Sequence, residues 1–239
     1  MPILEGEGIT KYFGGLAAVS NVDFSVDRGE LVGLIGPNGA GKTTLFNLIS
    51  GALVPKSGTI KFNRETITGL KPHRICRKGV ARTFQSVKVF PEMPVFANVL
   101  LGSTFGRSTT PSATDAEGES AGLLAFVGLL DVIEEPAKSL TLANRKRLEL
   151  ARALATKPQL LLLDEMMAGL NPTEVSEVME LVVMIRFMGI TIFMIEHVMK
   201  AIMNICDRIM VLHHGEKIAE GTPSEIANSK AVIEAYLGE

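Results

Sequence analysis

A glycine-rich segment that ends in lysine and threonine is the stretch best suited to chemistry. The pattern G-x-x-x-x-G-K-[ST] is matched by Gly36-Pro37-Asn38-Gly39-Ala40-Gly41-Lys42-Thr43-Thr44. Glycine lets backbone N–H groups approach phosphate oxygens without a Cβ clash. Lys42 would place its charge on the β and γ phosphates, and Thr43 would offer its hydroxyl to Mg²⁺. The sequence therefore predicts a triphosphate-binding loop.

A pair of acids follows a second apolar run. The residues from Leu160 to Leu163 are all leucine, and Asp164 and Glu165 come directly after them. Such a continuous apolar run is typical of a fully buried parallel strand. Asp164 would hold Mg²⁺ through water, and Glu165 would polarise the water that attacks the γ phosphate. The alternative is a strand that merely ends in solvated acids, and the phosphate loop favours the catalytic interpretation.

Three further polar or aromatic residues are candidates whose roles the residues alone leave open. Gln85 ends the predicted strand Val80–Gln85, and His197 follows the predicted strand Ile190–Ile195. Open α/β sheets bind ligands at the carboxyl ends of their strands, but a lone glutamine or histidine is as readily structural. Tyr12 is either a half-buried packing residue or a platform for stacking adenine.

The elements that would position these residues alternate between strand and helix. Two antiparallel strands, Ile3–Thr10 and Val19–Val26, precede the loop strand Leu31–Ile35. The remaining predicted elements are a helix Leu45–Ser50, a strand Ser57–Phe62, helices Pro72–Lys78 and Thr173–Met188, a hairpin of Arg208–Leu212 and Lys217–Glu220, and two short helices within Pro223–Leu237. Repeated βαβ units give right-handed crossovers and a parallel sheet, so the predicted fold class is α/β.

The middle of the chain changes character to helical patterns. The predicted helices are Pro94–Leu101, Ala121–Leu130 and Leu142–Ala155, and the stretch Gly102–Gly122, rich in small and hydroxyl residues, predicts a flexible loop. The chain is therefore expected to form a single domain over 1–239. Its core would be 1–85 and 157–239, with a helical subdomain inserted at about 86–156.

Composition excludes several classes of function. The 239 residues carry 24 Lys+Arg against 26 Asp+Glu, which gives no basic field for nucleic acid. The longest apolar tract, Leu181–Ile195, is interrupted by Arg186 and Gly189 and is shorter than the ~20 residues of a membrane span. The first residues lack the pattern of a secretion signal. Cys76 and Cys206 have no metal-ligand spacing, so reduced thiols are expected.

Together these motifs resemble the ATP-binding subunit of an ABC transporter over essentially the whole chain. The phosphate loop matches the Walker A motif, Leu160–Glu165 the Walker B strand, Gln85 the Q-loop, His197 the switch histidine and Tyr12 the adenine-stacking aromatic. The resemblance implies a P-loop NTPase core with ATP and Mg²⁺ as cofactors. It implies that Thr43, Gln85 and Asp164 surround the metal, that Glu165 is the general base, and that His197 contacts the γ phosphate.

Within that family the chain is similar to the ATPase subunits of branched-chain amino acid importers. The residues behind this are Ala81–Gln85, Ala168–Pro172 and the ending Ala235–Glu239. The resemblance implies transmembrane permease subunits as partners, an indirect link to a solute-binding protein, and a location on the cytoplasmic face of the cell membrane. The apolar stretch Val87–Met93 is the expected docking site for a short helix of the membrane subunits.

The chain departs from the family pattern at the signature. The family's Leu-Ser-Gly-Gly-Gln falls on Leu140, Thr141, Leu142, Ala143 and Asn144, which keeps a hydroxyl and loses both glycines and the glutamine. Met166 replaces the expected proline, and Asn171 the expected aspartate. In the family each ATP lies between one subunit's loop and the other's signature. We therefore expect the second ATPase subunit to be a paralogue rather than a second copy.

Three alternative functions remain. A soluble ABC ATPase outside transport would carry a second ATPase unit or long basic or coiled-coil insertions, which this sequence lacks. A weakly hydrolysing regulatory subunit is favoured by the altered signature. A small-molecule P-loop kinase would have no use for Gln85, His197 or the helical insertion.

Overall fold

Two sheets organise the chain in a computed structural model that describes residues 1–109 and 111–237. A four-stranded antiparallel sheet has the order β2-β1-β4-β5, with strands Pro2–Phe13 (β1), Leu16–Asp27 (β2), Ser57–Phe62 (β4) and Glu65–Thr66 (β5). A six-stranded sheet has the order β10-β9-β3-β8-β7-β6, with strands Leu31–Ile35 (β3), Val80–Arg82 (β6), Leu160–Asp164 (β7), Thr191–Ile195 (β8), Arg208–His213 (β9) and Glu216–Gly221 (β10). Only β10 runs antiparallel in the larger sheet. The predicted α/β class is confirmed.

The burial of each strand explains its sequence pattern. Strands β3, β7 and β8 are buried at every residue, because helices or the second sheet cover both faces of the parallel sheet. In β2 the residues from Val22 to Asp27 alternate between buried and exposed, as expected where one face meets the core. Strand β6 ends at Arg82, three residues before the predicted end at Gln85. Thr83, Phe84 and Gln85 therefore lie beyond the strand.

Six helices pack around the sheets in the parts of the chain outside 86–156 that the structure describes. They are Lys42–Ile49 (α1), Pro72–Arg77 (α2), Pro172–Phe187 (α6), Met199–Ile205 (α7), Pro223–Ala227 (α8) and Lys230–Leu237 (α9). Helix α6 starts with Pro172 and a capping box, in which Asn171 accepts the N–H groups of Thr173 and Glu174. The sequence analysis missed α7. Gly238 and Glu239, part of the ending used for the resemblance, lie outside the described residues.

Three helices between residues 95 and 155 share their own apolar cluster. They are Val95–Phe105 (α3), Ala113–Phe126 (α4) and Leu142–Ala155 (α5), and two short 3₁₀ turns, Leu130–Val132 and Ala137–Ser139, lie between α4 and α5. Val99, Leu124 and Leu148 are fully buried members of this cluster.

The prediction of a flexible loop over Gly102–Gly122 was wrong. The first part completes α3 and the last part lies in α4. Ser103 and Ser120 are fully buried where these two helices meet. A Cβ on Gly102 would lie 2.7 Å from the carbonyl oxygen of Arg152 in α5, so the small residue permits close helix packing. The second predicted helix of this segment, expected at Ala121–Leu130, spans Ala113–Phe126 instead.

The helix that follows the phosphate loop is held by an apolar cluster that includes residues of both sheets. Phe46 in α1 is fully buried, and its ring centroid lies 5.1 Å from that of Phe193 in β8. Leu45 and Ile49 are buried in the same cluster, together with residues of both sheets. Packing of α1 therefore fixes the position of the phosphate loop, which leads directly into this helix. No helix among the described residues is long and apolar enough to cross a membrane.

Candidate nucleotide-binding site

The predicted phosphate loop joins β3 to α1, with Gly41 as the residue that precedes the helix. Gly36, Gly39 and Gly41 have φ angles of 147°, 78° and 101°, in the region that favours glycine. A Cβ on Gly36 would clash with the carbonyl oxygen of Leu212, and one on Gly41 with that of Ala18. The loop therefore needs glycine for its backbone conformation and for its close approach to neighbouring strands.

A cavity of about 300 Å³ lies over this loop. Gln85, Glu165 and His197, from three different strand ends, line it together with the loop. The remaining lining residues are Leu16, Ala17, Ala18, Asn38, Gly39, Ala40, Gly41, Lys42, Thr43, Thr44 and His214. The structure thus brings together, around one cavity, most of the residues that the sequence singled out. This is the arrangement expected at the carboxyl edge of a parallel sheet.

Lys42 supplies the positive charge of the loop. Its side chain is buried, and Nζ donates to the carbonyl oxygens of Gly36 at 2.6 Å and Pro37 at 2.8 Å. Burial lowers the pKa of Lys42, while the charges of Glu165 and Asp164 act to raise it. The loop therefore combines a held ammonium group with the N-terminus of α1, both of which attract phosphate.

Glu165 lies between the other two candidate catalytic residues. Its Oε2 accepts a hydrogen bond from Nε2 of Gln85 at 2.8 Å, and its Oε1 lies 2.8 Å from Nε2 of His197. The residue is 8% exposed and has a left-handed backbone with φ 52°. Lys146 of α5 donates to the backbone carbonyl of Glu165 at 3.0 Å and to that of Ala168 at 2.8 Å. These contacts fix both the backbone and the carboxylate of Glu165.

Asp164 forms a buried ion pair that the sequence analysis did not foresee. Its Oδ2 accepts from Nη2 of Arg82 at 2.8 Å, and Arg82 also donates to Asn47 and Ser50. Oδ1 of Asp164 is buried and has no hydrogen-bond partner in the described parts of the chain. Burial raises the pKa of Asp164, and Arg82 opposes that rise.

The oxygen donors near the loop fit a magnesium ion bound jointly with a nucleotide. The unpartnered Oδ1 of Asp164 is a hard oxygen ligand, as are the Thr43 hydroxyl and the amide oxygen of Gln85. Mg²⁺ commonly uses one or two carboxylates plus substrate phosphates rather than a dedicated protein cage. Residues 1–109 and 111–237 contain no cluster of three His, Cys, Asp or Glu that could hold a metal by itself.

Tyr12 lies near the end of β1 and pairs in register with Ala17 of β2. Its side chain is 47% exposed, and the lining of the cavity includes Ala17 but not Tyr12. Stacking of adenine on Tyr12 therefore stays a prediction.

The signature segment lies away from the cavity of its own chain. Thr141 caps α5 by accepting the N–H of Asn144 at 3.3 Å. Leu140 and Ala143 are buried, whereas Leu142 is 45% exposed and packs beside Gly169. None of these signature residues lines the cavity among the described residues. The segment is therefore positioned by the start of α5, apart from the loop.

Glu196, next to His197 in the chain, is a buried carboxyl that the sequence analysis did not single out. It is 2% exposed, and its Oε1 accepts the backbone N–H of Met167 at 2.8 Å. Burial raises the pKa of Glu196 to about 7. Its position between the end of β8 and His197 was the available signal, because polar residues at strand ends had already been singled out.

A phosphate loop at the end of a central parallel strand, with a carboxylate, an amide and an imidazole from neighbouring strand ends, defines a P-loop nucleotide hydrolase. Residues 19–168 match the sequence profile of the family described as "ABC transporter". Residues 216–239 match that described as "Branched-chain amino acid ATP-binding cassette transporter". The chain belongs to the family of ABC transporter ATP-binding subunits.

Similar proteins extend over the whole chain. It is 43% identical to the high-affinity branched-chain amino acid transport ATP-binding protein BraF of Pseudomonas aeruginosa, over 100% of this chain and 98% of the relative. It is 44% identical to the corresponding protein LivG of Escherichia coli, with the same coverage. The ADP conformation of an ATP-binding cassette of an ABC transporter superposes with a TM-score of 0.90 at 32% identity, covering 100% of both chains.

Proposed function

We propose that this chain is the ATP-hydrolysing subunit of an importer for branched-chain amino acids or related solutes. The observation that carries the proposal is the placement of Glu165 between Gln85 and His197 over an intact phosphate loop. The relatives, which match along the full chain, are named as ATP-binding proteins of branched-chain amino acid transport. Their names supply the solute class, because the site itself only handles nucleotide.

Different residues serve nucleotide binding and proton transfer during the hydrolysis of ATP. Loop N–H groups and Lys42 hold the phosphates, while Glu165 accepts a proton from the attacking water. The water oxygen forms the new bond to the γ phosphorus, the bond to ADP breaks, and inorganic phosphate leaves. Gln85 and His197 hold the carboxylate of Glu165 in place. Bound Mg²⁺, held by Thr43, Asp164 and Gln85, would supply charge neutralisation on the phosphates.

We infer that the chain is one domain with a core of 1–85 and 157–239 and a helical subdomain at about 86–156. The separate apolar cluster of α3, α4 and α5 supports this division. Lys146 spans the two parts, since it lies in α5 and donates to backbone carbonyls after β7. A movement of the helical subdomain would therefore act on the turn that carries Glu165.

A groove beside Gln85 is the proposed contact with the membrane subunits at the cytoplasmic face. The cavity of about 540 Å³ lies between α2 and the helical segment. Its lining is mainly apolar and includes Phe84, Phe90, Leu101 and Phe105, with three phenylalanines more than 40% exposed. An apolar groove of this size suits a short amphipathic helix. We infer that a helix of a permease subunit occupies it, next to the residue that contacts Glu165.

The signature supports a paralogous second ATPase subunit. Each ATP would lie between this chain's loop and the partner's signature, so Leu142 and Ala143 would face the partner's nucleotide. Side chains at these two positions hinder the close backbone approach that glycines allow. A partner with a glycine-rich signature would complete the site formed by Lys42 and Glu165.

The test is transport by a reconstituted complex. The chain is assembled in vesicles with permease subunits, a paralogous ATPase and a solute-binding protein of the branched-chain amino acid class from the same genome. We expect ATP-dependent uptake of leucine, isoleucine or valine and no uptake of a sugar. Uptake of an amide or another amino acid instead would assign a different solute of the related class to the transporter. Absence of any ATP-dependent uptake by a fully assembled complex would refute the transport function.

A further inference from the structure

The segment Val87–Met93, here called the docking loop, borders the proposed groove without forming a helix or strand. Phe90 lies within it and exposes 46% of its side chain. The backbone groups of a loop outside helices and strands need partners if the loop is to keep one conformation. Backbone N–H groups of Met93, Lys138 and Ala137 donate to the carbonyl oxygens of Phe90, Pro91 and Met93, and side chains supply further bonds. The question is therefore which residue holds the docking loop in place.

Asn98, in the first half of α3, makes most of those contacts. It is completely buried, and its Oδ1 accepts the backbone N–H of Phe90 at 2.8 Å. Its Nδ2 donates to the carbonyl oxygens of Phe90 at 3.1 Å, Met93 at 3.3 Å and Pro94 at 3.1 Å. One side chain thus bonds both backbone groups of Phe90.

A primary amide is the group that this position requires. Asparagine offers an acceptor and two donors on one short side chain, which copies the pairing of a neighbouring strand. An ionised aspartate would keep the acceptor but lose both donors, and would face the carbonyl oxygens of Phe90, Met93 and Pro94 with a negative charge. These carbonyl oxygens also accept the backbone N–H groups of Met93, Ala137 and Asn98, so the main cost is the buried negative charge beside three carbonyl dipoles, and the loop would open toward water.

Two residues of α5 support the same loop from the other side. Glu149 is buried, and its Oε1 accepts the N–H of Lys88 at 2.9 Å. Arg152 donates to the carbonyl oxygen of Lys88, and its guanidinium lies 4.9 Å from the centroid of the Phe90 ring. These contacts place the ring at the groove. Among the described residues Asn98 is the side chain that bonds the backbone of Phe90, whose carbonyl oxygen also accepts the N–H of Met93 at 3.2 Å.

We propose that Asn98 is a positioning residue for partner binding, which fixes the docking loop so that Phe90 meets the membrane subunit already ordered. This inference rests on the proposed function of the groove. Ordering a loop at the moment of binding costs affinity, so a loop that is ordered in advance binds more tightly. Asn98 touches neither the nucleotide cavity nor the groove occupant and acts through Phe90.

The test compares Asn98→Asp with Ser120→Ala in the complete chain. Ser120 is an equally buried polar residue of the helical segment, and within the described parts of the chain its hydroxyl bonds Ala116 and Ser103 and no residue of the docking loop. Three measurements are made: hydrogen exchange of the Phe90 amide, affinity for the permease subunits in lipid nanodiscs, and ATP binding. For Asn98→Asp we expect at least tenfold faster exchange at Phe90 and at least tenfold weaker binding. ATP binding should remain within twofold of wild type, and Ser120→Ala should match wild type in all three.

Different outcomes separate this inference from the proposed function. If the wild-type chain does not bind the permease subunits, the function of the groove fails, while exchange at Phe90 still reports on the role of Asn98. If the wild-type chain binds and Asn98→Asp matches it in exchange and affinity, the inference is overturned. If Asn98→Asp does not fold, Asn98→Ser is the second variant, because the shorter side chain leaves room for a water that keeps the buried site solvated. Unchanged exchange at Phe90 in Asn98→Ser would overturn the inference as well.

Discussion

Nε2 of His197 lies 2.8 Å from Oε1 of Glu165, while the other oxygen of that carboxylate accepts from Gln85. Both oxygens of Glu165 are therefore oriented by neighbours from other strand ends. Lys42, in contrast, bonds the carbonyls of the phosphate loop. This geometry separates the residue that holds phosphate from the residue that accepts a proton.

The first prediction is that Lys42→Ala and Glu165→Gln fail at different steps. Loss of the ammonium should weaken ATP binding by about 10–100-fold, the range of a charged hydrogen bond. Glu165→Gln should bind ATP within a few-fold of wild type, because shape is kept, and should lose about 10²–10⁴ in turnover, because the proton acceptor is gone. Equilibrium nucleotide binding and steady-state ATPase of the assembled complex measure the two effects. Near-normal hydrolysis by Glu165→Gln would remove Glu165 from the role of base.

The second prediction is that Phe90→Asp abolishes assembly with the membrane subunits, because a charge in the apolar groove would be buried by the occupant. The matched control is Phe187→Asp in α6, a position 84% exposed and outside the groove. Co-purification and transport are the measurements. Normal transport by Phe90→Asp would place the docking site elsewhere.

The third prediction concerns stability and pH. The pKa of Glu196 is raised from 4.5 to about 7 in the folded chain, so the folded state keeps this proton longer than the unfolded state. The stabilising contribution of protonated Glu196 to the free energy of unfolding is fully present below pH 4.5 and is lost as the pH rises to 7. The loss is about 3 kcal/mol, at about 1.36 kcal/mol for each unit by which the pKa is raised. Glu196→Gln keeps an acceptor for Met167 and removes the titration.

Denaturant unfolding at pH values from 4.5 to 8 measures this effect. The stability of Glu196→Gln relative to wild type should rise through pH 7 and then level off. The control is Glu180→Gln, which removes an exposed carboxylate of α6 and so reports the effect of losing a surface charge. A constant difference between Glu196→Gln and wild type would show that burial does not perturb this carboxyl.

The fourth prediction is that the isolated chain hydrolyses ATP slowly and the reconstituted pair with its paralogue hydrolyses it fast. Leu142→Gly with Ala143→Gly should raise the rate of the isolated chain, although each glycine costs up to about 1 kcal/mol of helix stability. Ala113→Gly, at the exposed start of α4, controls for that loss. Full activity of the unmutated homodimer would show that Thr141 and Asn144 suffice without glycines.

The sequence predicted the phosphate loop and the acids after β7 because both depend on local patterns. The glycine spacing and the continuous apolar runs are contained within a few residues, and the strand-end rule then places Gln85, Asp164 and His197 on one edge. The structure brings Gln85, Glu165 and His197 to one cavity with the loop.

Local sequence patterns could not predict contacts between segments that are distant in the chain. Arg82 and Asp164 are 82 positions apart, and no local pattern pairs them. The wrong prediction of a flexible loop over Gly102–Gly122 has a similar cause. The small residues Gly102, Ser103 and Ser120 indicate flexibility when only the sequence is considered. In the fold they are the residues that let α3 approach α4 and α5.

The left-handed backbone at Glu165 has a consequence for directed evolution. A residue with a Cβ at φ 52° lowers the free energy of unfolding by roughly 1 kcal/mol. Glycine at this position would restore that stability, and asparagine would restore part of it. Selection for heat resistance alone would therefore reward the loss of this carboxylate. Libraries of this chain need a selection for turnover alongside thermal selection, or their most durable members will be inert.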